Sequence, residues 1–127
     1  MKRIATLVLL AAVLPAAAWA DCSYPKRPSK APNGNRATRA EMVAAKKTQD
    51  QYQADVTSYL KCLKDQYDAD VGKIDPAKSD KDKEKEKKKI TDVYQQKNDA
   101  AVDEAQRFAD AFNEQIRVCK ARPDGCK

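Results

Sequence analysis

From Thr38 onward, apolar residues return with the period of a helix. Met42, Ala45, Gln49, Tyr52, Val56, Tyr59, Leu63 and Gln66 recur at alternating spacings of three and four, a heptad-like seam along one face. Leu60, Tyr67 and Val71 widen it. Thr38-Arg39-Ala40-Glu41 has the capping-box pattern, in which the threonine hydroxyl and the glutamate carboxylate each take a backbone N–H that the first turn leaves unpaired. The first glycine or proline after that start is Gly72, expected to end the helix in the left-handed conformation. The pattern predicts a helix over Thr38 to Val71.

A second periodic run follows. Asp75-Pro76 reads as an N-cap aspartate with proline at the first helical position. Ile90, Tyr94, Ala101, Ala105, Phe108, Phe112, Ile116 and Cys119 fall on one side, and Asp92, Asp99, Asp103, Asp110 and Glu114 on the other. This predicts a helix over Pro76 to Lys120. Two long helices with a short connection bury their stripes by packing antiparallel, at lengths of about 50 and 65 Å. The alanines at 100, 101, 105, 109 and 111 allow close approach. The expected fold is all-α: a long antiparallel two-helix hairpin over 38–127, stapled by disulfides. A three-helix bundle, with the second helix broken near Asn98-Asp99, is the alternative.

The residues before Thr38 do not fit a helix. Pro25, Pro28 and Pro32, then Asn33-Gly34-Asn35, favour an extended arm over 21–37 that ends in a turn. Before that, Lys2 and Arg3, the apolar run Ile4 to Leu14 and Ala18-Trp19-Ala20 form a secretory signal over 1–20, with cleavage expected before Asp21. The apolar run is about half of the roughly 20 residues a membrane span needs, so no transmembrane segment is expected in the mature chain. The expected location is periplasmic or secreted.

That location gives the cysteines their meaning. Cys22, Cys62, Cys119 and Cys126 are an even set, and an oxidising compartment turns such a set into disulfides. With the turn centred near Lys73, Cys62 lies level with about Lys85. Cys119 is then roughly 50 Å further along, beyond the 7 Å or so between alpha-carbons that a disulfide tolerates. Only the arm can bring Cys22 to Cys62, which points away from the apolar stripe. Cys119 then pairs with Cys126. In the chain-entropy model the two links contribute about 4 and about 2.5 kcal/mol.

Composition removes most chemistry. The chain has no histidine and a net charge of +6, so the commonest base and metal ligand is missing. Its serines have no glycine-framed nucleophile context, and there is no glycine-rich phosphate loop. No enzyme activity, cofactor or metal is expected. Asp80 to Lys89 is the most conspicuous charged segment, and Lys87, Lys88 and Lys89 are the candidate contacts for a polyanion or a membrane surface. Its charges nearly alternate, however, Glu84 is well spaced to pair with Lys88, and it lacks aromatics that would stack on bases. Nucleic acid is not an expected partner. Tyr52, Tyr59, Tyr94, Phe108 and Phe112 read as core. Leu60, Val102 and Val118 lie off the seam and need covering by the arm or by another chain. The expected partner is another envelope protein, with a homo-oligomer as the other way to cover them.

About the first half of the expected mature chain, 21–127, resembles an uncharacterised family of small exported proteobacterial proteins. The resemblance is carried by Asp21-Cys22, Tyr24-Pro25, Gly34, Ala37-Thr38, Glu41-Met42, Ala45, Tyr52 and Tyr59-Leu60-Lys61-Cys62-Leu63. It implies the Cys22–Cys62 link and no activity. The Cys119 and Cys126 tail lies outside it. The function expected is a non-enzymatic interaction protein of the cell envelope, with a holdase-like chaperone or a polyanion binder as alternatives.

Overall fold

The computed structural model describes residues 21–127, so the expected signal segment lies outside the described residues. Two helices, α1 (Arg39–Gly72) and α2 (Asp80–Lys120), pack against each other, with no strand among the described residues. The second helix runs unbroken through Asn98-Asp99, so the hairpin stands and the three-helix bundle does not. No helix among the described residues is long and apolar enough to cross a membrane.

The start of α1 is the one the sequence predicts. Thr38 Oγ1 accepts from the Glu41 N–H at 3.3 Å, and Glu41 Oε2 accepts from the Thr38 N–H at 2.7 Å. Those bonds hold the Glu41 carboxyl below its usual range, the Thr38 backbone bond contributing most. The end of α1 differs. Gly72 does not turn left-handed: Lys73 caps the helix at φ −87°, ψ −6°, and Ile74 N–H reaches Val71 O at 3.2 Å. A left-handed cap reverses the chain, whereas this chain runs onward past the end of α1. Positive φ appears instead in the tail loop, at Gly125 (61°) and Cys126 (69°).

The start of α2 also moves. Asp75 Oδ1 takes the Ala77 N–H at 2.8 Å, and Lys78 N–H closes on Asp75 O at 3.2 Å. The Asp-Pro signal thus builds one isolated turn. Ser79, extended at φ −60°, ψ 152°, then breaks it and becomes the N-cap, accepting from the Asp82 N–H at 3.3 Å. Asp80 and Asp82 in the first turn complement the helix dipole.

Three apolar clusters run along the interface. Ala37, Met42, Cys119 and Cys126 form the base, Tyr52, Val56 and Phe108 the middle, and Tyr59, Leu63 and Ala101 the upper part. The rings of Tyr52 and Phe108 meet edge-on at 5.6 Å, and Tyr67 meets Tyr94 at 4.9 Å. These pairs correct the expected register. Cys62 stands level with about Asp99, not Lys85. The cause is the apolar pattern itself: α2 has nothing to bury before Ile90, so it slides until Ile90 and Tyr94 meet the end of α1. Asp80 to Lys89 is left projecting past Gly72 by about 14 Å.

Both disulfides form as expected. Cys22 joins Cys62 with alpha-carbons 5.8 Å apart, and Cys119 joins Cys126 at 4.9 Å. In the observed register Cys119 lies about 30 Å from the level of Cys62, still far too distant to pair with it.

Candidate functional site

A two-helix hairpin has two grooves, one on each side of the contact line. The arm fills one of them. It runs back along the hairpin from Thr38 to Cys22, tied at both ends and in the middle. Near Thr38, Gly34 is buried, its N–H donates to Gln115 Oε1 at 2.8 Å, and Arg122 Nη1 donates to Ala37 O at 2.6 Å. Asn33 closes the turn there by accepting the N–H groups of Arg36 and Ala37 at 3.0 and 2.8 Å. A side chain at Gly34 would run into the backbone oxygen of Gln115 and lie 2.8 Å from Val118 Cβ. In the middle, Tyr24 packs edge-on against Tyr59 at 5.1 Å and donates its hydroxyl to Glu104 Oε2 at 2.6 Å, while Arg27 reaches Glu104 at 3.9 Å. The Tyr24 phenol is pushed up to about 12, first by its bond to the Glu104 carboxylate and then by burial. At the far end stands the Cys22–Cys62 bond.

The opposite groove has no such cover. It is formed by Met42, Val43 and Lys46, then Gln53, Val56 and Thr57, on α1, facing Val102, Ala105, Ala109, Ile116 and Lys120 on α2. At about 100° per residue these positions recur on one side of each helix, while Tyr59, Cys62, Glu104 and Gln115 recur on the arm's side. Val43 and Val102 remain 51% and 45% exposed. The expectation for the off-seam residues therefore divides. Leu60 is half-buried between the middle and upper clusters, Val118 lies under Gly34 of the arm, and Val102 is uncovered.

The polyanion candidates do not converge. Lys87, Lys88 and Lys89 are all exposed, but successive residues point about 100° apart around the helix. Lys88 pairs forward with Asp92 at 2.6 Å rather than back with Glu84. Within the projection, Lys78 holds Glu86 at 2.6 Å and Lys83 holds Asp80 at 3.4 Å. Six lysines and four carboxylates over Asp80–Lys89 make a mixed-charge surface. The aromatics lie in the core: Tyr52, Tyr59, Phe108 and Phe112 are buried and Tyr94 is half-buried. Asp92, Asp99, Asp103, Asp110 and Glu114 are exposed, and among the described residues no cluster of three or more Cys, Asp or Glu residues is arranged to hold a metal ion.

Two features escape the sequence. Gln49 is 5% exposed with both amide atoms unpaired, and Tyr52 is 2% exposed with an unpaired hydroxyl. The link from Tyr24 to Glu104 is the other: nothing in the spacing of residues 24 and 104 signals it. Comparison with family models, with curated proteins and with solved structures gave no match.

Proposed function

We propose that this chain is an exported, non-enzymatic interaction protein of the bacterial cell envelope that binds a partner protein along its helical surface. The observation that carries this reading is the asymmetry of the hairpin. One groove is closed by a tethered arm, and the other leaves Val43 and Val102 in water. Export is supported by the pairing of all four cysteines and by the charged start, apolar run and Ala18-Trp19-Ala20 of the first twenty residues.

The holdase reading relies on a flexible arm, and this arm is held by a disulfide, an aromatic contact and backbone hydrogen bonds. The polyanion reading relies on concentrated positive charge, and the projection interleaves its lysines with carboxylates. The deciding experiment immobilises the disulfide-bonded protein and challenges it with envelope extract at low and high salt, alongside a Val43→Lys/Val102→Lys variant. One stoichiometric protein, retained at high salt and lost with the variant, is the expected result. A broad set of unfolded clients would make it a chaperone, and lipid or nucleic acid released by salt would make it a polyanion binder.

A further inference from the structure

The open groove is not uniform along its length, and the difference specifies what it takes. Its end beside the hairpin base is a cavity of about 420 Å³ with a floor of Met42, Val43, Ile116 and the tail-loop Cys126. Arg39, Lys46 and Lys120 stand around that floor, and no carboxylate lines it. Asp50, outside the cavity, takes Lys46 at 2.8 Å. Arg39 and Lys120 enter no ion pair among the described residues. Further along the same faces lies a second cavity, lined by Gln53, Thr57 and Gln106 around Val56, Val102, Ala105 and Ala109, with no charged residue in its lining. From Met42 to Thr57 the two cavities together span about 22 Å.

We infer that this groove docks an amphipathic helix of a partner protein, with carboxylates on the end of that helix that meets Arg39 and Lys120. The inference rests on the interaction reading above and names the partner's chemistry. A trough between two helices, lined by small residues at Ala105 and Ala109, accepts a third helix at close range. Val43 and Val102 become apolar contacts about four turns of partner helix apart, in the manner of helix-in-groove recognition. The two unpaired cations choose the partner's sign and orientation. A second copy docked in parallel would bring the same cations to this end.

The test uses two synthetic eighteen-residue helical peptides with one leucine stripe, bearing either glutamates or lysines at one end. Each is titrated into the isotope-labelled, disulfide-bonded protein. The glutamate peptide is expected to shift the resonances of Val43, Val56, Val102 and Ile116 and leave Tyr24 and Cys62 on the arm side unmoved. Affinity should fall about tenfold for Arg39→Gln/Lys120→Gln protein, the size expected for two exposed charge pairs, and further for the lysine peptide, which adds repulsion to the lost attraction. Both substitutions are at exposed positions, and unchanged helix content by circular dichroism verifies that the variant folds. Equal binding of the two peptides, shifts confined to Asp80–Lys89, or no shift in the groove would overturn the inference. So would concentration-dependent shifts of the same residues without peptide, which would seat a second copy there. If the envelope extract yields a stoichiometric partner while the glutamate peptide leaves the groove unmoved, the interaction reading stands and this assignment falls.

Discussion

Single residues in this hairpin work against its stability as well as for it. Gln49 occupies a core position two turns from Met42 and two from Val56, yet neither amide atom is paired. An unpaired buried polar group costs about 1–3 kcal/mol. Gln49→Leu should therefore raise unfolding stability by an amount of that order, read as a higher urea midpoint at unchanged slope. Tyr24 makes a pH-dependent contribution. Its phenol rises from 10.0 to about 12 because the neutral hydroxyl donates to Glu104. That contribution is fully present below pH 10 and is lost as pH climbs through about 12. Burial also raises the Tyr52 and Tyr59 phenols, so tyrosinate absorbance near pH 12 should lose one phenol's amplitude, not the whole step, in Tyr24→Phe. The sequence shows Gln49 in the seam but cannot show that its amide finds no partner, because that depends on what α2 places opposite.

At the scale of elements, the arm behaves as a third packing layer without regular structure. Its fit depends on Gly34, whose missing side chain lets the backbone lie against Gln115 and Val118. Gly34→Ala should lift this end of the arm and cost about 1–3 kcal/mol, the usual penalty for overpacking. Amide exchange at Asn35 to Ala37 should accelerate while the centre of α1 is unaffected. Cys22→Ser should release a single thiol at Cys62, cost up to about 4 kcal/mol and leave the Cys119–Cys126 link intact in a non-reducing peptide map. The helix starts show how local signals compete. Thr38 with Glu41 is read correctly, because both halves of its capping box form. Asp75-Pro76 is an equally good signal on paper, but Ser79 with Asp82 captures the start of α2. Propensity alone cannot rank two caps four residues apart.

For the whole molecule, the legible part is the hairpin, its two disulfides and its charged outer faces, since each follows from period and distance. Register was not legible from the turn, because a symmetric hairpin assumes both helices are apolar along their full length. The first ten residues of α2 are not. The open groove follows from the arm's path, which the prolines make extended but do not aim. One consequence of the disulfide pattern concerns the connection between the helices. Cys22–Cys62 closes a ring within the first half of the chain, and Cys119–Cys126 closes one within the second. Neither spans residues 73–79, so the two halves share no covalent bond other than the backbone itself. A single proteolytic cut in that exposed stretch would turn the protein into a heterodimer of two fragments, each still cross-linked internally. The pieces should co-elute under native conditions yet separate on a denaturing gel without any reductant.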